Sequence, residues 1–336
     1  MKKGKIKHQI KGEELVEQAK KIMKKEGSKG WELAKETMLN QDVHSLQLQE
    51  AINYIMLQYK PDFFRPAIIS LCSKTVDGVS EAAISCGASL VLLGRAIGIH
   101  DDIIDNLKRR NKRYTVFGKF GKENALILSD ILFFKGFKLL ARIIELGVPQ
   151  QKFTEIYNTI DCIWFEQSES EVLEVQSRGK TEITPRSCLT KIRMRASEME
   201  ATTRIGGILG GGSKKEVDAL GRYGRFLGIA SILRDELIDM LELDMLKHRI
   251  ERESLPLPLI YALIDPSVRS KLFLLISIKR PKMTDLQAIS KVVEEAGGLD
   301  YVVKLINRTI RTSRSHVVAF GNKNKELDLI ASSIMI

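Results

Sequence analysis

From Ala82 to Ile99 the chain is almost continuously apolar, and just beyond it Asp101 and Asp102 stand side by side. A run of this length can cross a bilayer or thread a protein core. Ser85, Ser89 and Arg95 lie inside it, so a buried core helix fits better than a membrane span, and no transmembrane segment is expected. A helix hidden on all sides needs a large apolar shell. The chain can supply one: 44% of its 336 residues are hydrophobic, too many for a disordered chain.

Helical spacing recurs along the sequence. Helices are expected over residues 12–26, 44–58, 65–76, 80–105, 122–146, 150–177, 186–210, 214–248, 256–263, 266–278, 284–296 and 298–319. Pro61 and Gly147-Val148-Pro149 mark breaks between them. No segment alternates in the manner of a strand, and eight prolines are too few for a sandwich of many short strands. The expected fold class is all-α, one large helical bundle around a central cavity. No Pro/Gly/Ser-rich linker divides it, so residues 1–336 read as a single domain, with 1–30 a basic amphipathic helical region. The glycine cluster at 206–212 lacks the strand and spacing of a dinucleotide fingerprint and reads as helix packing plus a C-cap.

The net charge is +11, partly from nine lysines against four glutamates in the first 26 residues. Such an excess is either a solvated surface or a match for an anionic membrane or a phosphorylated substrate. Nucleic acid is disfavoured, because aromatics are only 6% and no basic run interleaves with them. The N-terminal segment has charge without an apolar h-region, and it uses Lys and keeps its acids, so neither a secretory nor a mitochondrial signal is expected. Cys72, Cys86, Cys162 and Cys188 form no CxxC pair. A reduced, cytoplasmic protein without a zinc ribbon follows, and Cys162 and Cys188 are expected to be buried thiols.

The strongest chemical signal is Asp101-Asp102-Ile103-Ile104-Asp105. Asp101 and Asp105 stand at i, i+4, on one helical face about one turn apart. Like charges at the end of an apolar helix are unfavourable unless a cation sits between them. Mg²⁺ suits that place, being hard and held by one or two carboxylates plus substrate phosphates. Asp235-Glu236-Leu237-Ile238-Asp239 repeats the spacing after a second apolar segment. Two such patches facing each other would suit a diphosphate leaving group. Lys108, Arg109, Arg110, Lys112 and Arg113 follow the first; Arg234, Lys247, Arg249 and Arg252 flank the second; Lys191, Arg193 and Arg195 lie between. Beside paired acids, such cations fit a diphosphate clamp.

These residues carry a resemblance. FFRPAIISL (63–71), IHDDIID (99–105), TVFGKFG (115–121), the Asp130 region, RASEMEATTRIGGILGG (195–211), FLGIASILRDELID (226–239) and SLPLPLIYAL (254–263) resemble, in that order, the trans-isoprenyl diphosphate synthase (polyprenyl synthetase) family of class I terpenoid synthase fold. The resemblance implies a head-to-tail prenyltransferase working as a homodimer. Three Mg²⁺ ions would bridge the acidic helices and an allylic diphosphate. Diphosphate departs, the double bond of isopentenyl diphosphate attacks the allylic cation, and a proton leaves to the released diphosphate. By motif match Asp101, Asp105 and Asp235 are the main metal ligands, with Asp102 and Asp239 in support, directly or through water. Arg65 matches the diphosphate-binding arginine before proline, and Arg252 stands near the family's lysine. Arg109 and Arg110 match its paired arginines, although Asn111 replaces the following glycine.

The departures cluster on the isopentenyl side. Asp62 stands at a lysine position with only Lys60 nearby, Gly94 stands at the histidine position with Arg95 adjacent, and Met194-Arg195 replaces Lys-Thr, where Lys191 and Arg193 could substitute. The Phe-Gln pair ahead of the second patch is Ser231-Ile232. Three readings follow: a prenyl diphosphate synthase with a replaced cation set, a terpene-synthase-like enzyme that ionises an allylic diphosphate without adding a C5 unit, or a non-catalytic subunit of a heteromeric synthase. A metal phosphohydrolase built on His100-Asp101 lacks further histidines at useful spacing. His100 reads as a helix-end residue near the metal site, and Trp164 and Met199 as core. For product length, the family floors its tunnel with an aromatic four or five residues before the first aspartate. Here those positions are Ile97 and Ala96, so a product of C20 or longer is expected, with Leu92 and Leu93 as a deeper floor, or Phe133, Phe134 or Phe165 as a plug.

Overall fold

The computed structural model describes residues 3–78, 81–110 and 113–336, with side chains from Glu13 onward. The expected glycine replacement at Asn111, the cation Lys112 and the side chains of the basic segment before Glu13 therefore lie outside the described residues.

The buried helix forms as the sequence requires. Helix α4 (Glu81–Ile104) is the one described helix long and apolar enough to cross a membrane by length and composition, yet 72% of its most apolar stretch is buried inside the protein. It packs against α1 (Lys3–Leu39), α3 (Phe64–Thr75) and α5 (Val116–Glu145). Between α1 and α3 lie α2 (Leu46–Asn53) and a π turn at Tyr54–Gln58. On the far side stand α6 (Gln150–Ser177), α7 (Pro185–Arg195), α8 (Ser197–Leu209) and α9 (Lys214–Leu241). The C-terminal helices α10 (Leu243–Arg252), α11 (Leu257–Ala262), α12 (Pro266–Ile276), α13 (Met283–Glu295), α14 (Gly298–Ser315) and α15 (Lys325–Ser332) back onto α9 or onto one another.

Three apolar clusters hold the bundle. Tyr223, Leu227 and Leu233 centre one between α9 and the C-terminal helices; Trp31, Leu92 and Leu128 centre a second; Ile143, Ile156 and Ile205 centre a third beneath α6. The glycine cluster acts as expected. A Cβ at Gly206 would lie 2.7 Å from the Ile69 carbonyl oxygen, so glycine lets α8 approach α3, and Gly211 takes φ +82° just past the end of α8.

Several boundaries differ from expectation. The segment 186–210 breaks at Ala196 into α7 and α8, and 214–248 breaks at Glu242, with no Gly or Pro at either place to signal it. The helix expected over 12–26 runs from Lys3 to Leu39. Helix α5 begins at Val116, because Thr115 Oγ1 accepts a hydrogen bond from Gly118 N at 2.9 Å, and it is interrupted at Gly121, where φ is +83°. A 3₁₀ turn (Val318–Asn324) and α15 extend the chain past the last expected helix. The expectation of no strands is corrected by a minimal hairpin, β1 (Arg109–Arg110) with β2 (Arg113–Tyr114), too short to show alternation. Asn106, in the left-handed region at φ 53°, ends α4 and turns the chain toward this hairpin.

Candidate active site

Between α4 and α6 opens a cavity of about 810 Å³. Ile97, Gly98 and Ile104 of α4 face Trp164, Val172 and Val175 of α6 across it, and Asp101 and Arg195 lie on its polar wall. The α4 run thus has two uses: most of its surface is core, and one stripe lines an apolar chamber that ends at the first aspartate.

The two acidic patches come together. Asp101 and Asp235 both feel the charge of Arg195, which projects into the cavity from the end of α7; Asp105 feels Glu253 just past α10; Asp239 feels Arg110 of the hairpin. Burial raises Asp101 and Asp105 to about 7, with neighbouring carboxylates adding to the shift. Asp102 and Asp235 rise to about 6, again chiefly through burial, and Asp239 is raised for the same reason. The carboxylates are crowded in a partly dry place, where burial outweighs the pull of the neighbouring arginines.

The donor set fits divalent magnesium: every ligand candidate is a hard carboxylate oxygen. Among the described residues no three acidic, His or Cys side chains converge as a ready-made cage.

The cations are less uniform. Arg110 reaches Asp102 at 3.3 Å and stays exposed, while Arg109 lies over the Tyr114 ring at 3.9 Å to the centroid. Lys191 is buried and pairs with Glu174 at 2.6 Å and with Ser254, so it braces the floor behind the second patch and is not on the cavity wall. Arg252 is exposed at the end of α10. The buried cation there is Arg249, which grips Glu236 and Asp239 at 3.0 Å each and donates to the Ser254 carbonyl at 2.8 Å. Arg178, following α6, pairs with Asp105 at 2.7 Å. The sequence reading passed over Arg178 and Glu174, and it named Arg249 only as one flanking charge. The i, i+3 spacing of Glu171 and Glu174 on α6 was the signal available for the acids.

Ala96 and Ile97 separate. Ile97 is on the cavity wall, whereas Ala96 is fully buried against α5, its carbonyl accepting from Ser129 Oγ at 3.1 Å. Leu92 and Leu93 are core residues outside the cavity lining. Phe133 lines the cavity and packs edge-on to Trp164 with centroids 4.9 Å apart, which corrects the assignment of Trp164 to the core; Phe134 and Phe165 are exposed and do not line it. His100 lines the cavity too, its ring 5.4 Å from that of Phe133. Cys188 is buried as expected, but Cys162 is exposed, because it sits on the outer face of α6.

An all-α bundle in which two aspartate-rich helix segments share an arginine beside an apolar chamber fits the isoprenoid synthase class. The family model for polyprenyl synthetase matches residues 46–295, and the chain belongs to that family. The geranylgeranyl diphosphate synthase of Methanosarcina mazei is 26% identical over 244 residues, 72% of this chain and 74% of that protein. The octaprenyl diphosphate synthase of Escherichia coli is 27% identical over 202 residues, 60% of this chain but only 59% of that protein. Among solved structures, geranylgeranyl pyrophosphate synthetase from Pyrococcus horikoshii superposes with TM-score 0.82 at 21% identity, covering 96% of this chain and 98% of its own. A polyprenyl synthase from Caulobacter crescentus, solved with calcium and isoprenyl diphosphate, gives 0.80 at 18% identity, over 96% and 97% of the two chains.

Proposed function

We propose that this chain is a divalent-metal-dependent trans-prenyltransferase that joins isopentenyl diphosphate to an allylic diphosphate and releases a prenyl diphosphate of C20 or longer. The observation that carries the reading is that the two aspartate patches share Arg195, with the first of them, at Asp101, opening on an apolar chamber. Asp101, Asp105, Asp235 and Asp239 would hold Mg²⁺, three ions by family resemblance, with Asp102 in support. Bound cations supply the charge that neutralises the leaving diphosphate. Arg195 faces the same space and steadies that group, with Arg110 above it. The allylic tail lies along Ile97 and Gly98 toward Phe133 and Trp164, where water is excluded from the cation formed when the C1–O bond breaks.

The relatives named above make C20 and longer products, which supports the product class and weighs against ionisation without chain extension. The chain acts as one all-α domain in the cytoplasm, in keeping with four free cysteines. It pairs as a homodimer through the outer faces of α5 and α6, where Ile127, Phe134, Phe137, Tyr157 and Phe165 are exposed; sedimentation at a monomer's mass would refute that. The test of function is incubation with Mg²⁺, labelled isopentenyl diphosphate and each allylic diphosphate. Labelled chains of C20 or more are expected, and hydrocarbon or alcohol without label would overturn the reading.

A further inference from the structure

Helix α12 carries apolar residues on both of its faces. Val268, Leu272, Leu275 and Ile276 turn inward and pack on the cluster of the C-terminal helices. That spacing is the whole apolar stripe a surface helix needs. The opposite side should then be polar, yet Leu274 stands there 75% exposed. Ile278, just past the helix, and Met283, at the start of α13, are exposed as well. A single outward leucine is ordinary. Three such side chains between residues 274 and 283, at one end of a helix that packs chiefly on α13, make a protruding apolar edge.

Cations surround that edge without counter-charge. Arg269 and Lys271 lie on α12, Lys279 and Arg280 in the link, and Lys282 just before α13, and all five are exposed. Among the described residues none of them forms an ion pair. Arg269 instead lies over the half-buried Phe273 ring, 5.3 Å from its centroid. The two acids of the stretch are already engaged with backbone: Asp265 accepts from Ser267 N at 2.9 Å, and Asp285 from Lys282 N at 2.8 Å. Unpaired cations crowded in this way repel one another, and an anionic surface relieves the repulsion.

We propose that the corner between α12 and α13 docks the protein on an anionic lipid bilayer. Leu274, Ile278 and Met283 enter the headgroup layer, and Lys271, Lys279, Arg280 and Lys282 meet its phosphates. A lipid surface matches both halves of the corner at once. A second copy of the chain is a poor occupant, because two such corners bring like charges together. Nucleic acid lacks a stacking platform here, since Arg269 covers the one ring nearby. The inference goes beyond the prenyl-transfer reading and uses none of its residues. It suits that reading, because a prenyl diphosphate of C20 or longer is itself an anionic amphiphile.

Flotation of the full chain with lipid vesicles tests the proposal. Vesicles of phosphatidylcholine alone are compared with vesicles in which about a third of the lipid is phosphatidylglycerol. The wild type is expected to bind the anionic vesicles at least about tenfold more tightly, with the difference shrinking as salt rises. Lys279→Gln, Arg280→Gln and Lys282→Gln together should weaken that binding at least about tenfold, and Leu274→Ser about threefold or more. Lys21→Gln, Lys24→Gln and Lys29→Gln remove the same charge from the exposed side of α1 and should weaken it less than about threefold. Thermal melting should be unchanged in all of them, since every altered side chain is exposed. A wild type that ignores the anionic vesicles, or equal losses from the two triple variants, would overturn the inference. So would a fall in sedimenting mass in Leu274→Ser without vesicles, which would assign the edge to a second copy. Incorporation of labelled isopentenyl diphosphate in vesicle-free solution tests the prenyl-transfer reading separately, so either can fail alone.

Discussion

The two acidic patches share a spacing and differ in how they are held. At the second, Glu236 accepts from Leu257 N at 2.8 Å and pairs with Arg249, which also takes Asp239; both Glu236 and Arg249 are buried. At the first, the partners are Arg110, whose side chain is 55% exposed, and Arg178 just past α6, which also donates to the Ile104 carbonyl at 3.1 Å. The second patch is a fixed wall tied into the C-terminal core. The first is held less deeply: Asp102 meets an exposed arginine, while Asp101 has the charge of Arg195 but no ion pair among the described residues. The same carboxylate spacing is therefore tied into the core in one patch and paired nearer the surface in the other, and the neighbouring arginine makes the difference.

The largest expected effect removes that distinction. Asp101→Ala or Asp235→Ala should each cut turnover by about 10²–10³ or more with the fold intact, because each withdraws charge stabilisation from the leaving diphosphate. Near-normal turnover in either would break the claim that both walls serve one reaction. The next effect sharpens the contrast. Arg249→Met leaves Glu236 buried and unpaired and should cost about 3–5 kcal/mol, read as a lower urea midpoint. Arg110→Met should lower the midpoint far less, since Arg110 is itself half-exposed and Asp102, raised to about 6, can take up a proton in its place. Equal losses would mean that the two patches are equally rigid.

A smaller effect concerns protons. Burial first, and neighbouring carboxylates second, keep Asp101 and Asp105 protonated to about 7 in the metal-free protein. A raised carboxylate pKa gives stability that is present at low pH and lost as pH rises through the folded value. Mg²⁺ replaces those protons, so its stabilising increment in Tm should be larger near about pH 8 than near about pH 5.5. An increment that shrinks with rising pH contradicts the charge argument. The smallest effect is on chain length: Phe133→Ala should lengthen the main product, and Ile97→Phe should shorten it. Ala96→Phe should lower stability by overpacking α4 on α5, and a shortened product at full stability would put Ala96 back on the chamber wall.

Much of this was legible in the sequence because it is written in local period and spacing. The α4 run, both carboxylate pairs and the glycine cluster at 206–212 are each set by residues a few positions apart in the chain. What was not legible depends on which way a helix turns once packed. Ala96 and Ile97 are adjacent, yet one faces α5 and the other the chamber, and only packing against α5 decides between them. Arg249 and Arg252 lie one turn apart, and the sequence reading chose Arg252; the chain's bend at Glu242 buries Arg249 instead. The breaks at Ala196 and Glu242 carry no Gly or Pro because tertiary contacts, not backbone preference, impose them.

The central claim is that the two patches form a single diphosphate-dependent metal site. Mn²⁺ binding to the purified protein, followed by electron paramagnetic resonance with and without inorganic pyrophosphate, tests it most directly. Pyrophosphate should markedly tighten Mn²⁺ binding in the wild type, and both Asp101→Asn and Asp235→Asn should abolish that tightening. If either variant keeps the pyrophosphate-dependent binding of the wild type, the two patches are separate sites and the account fails.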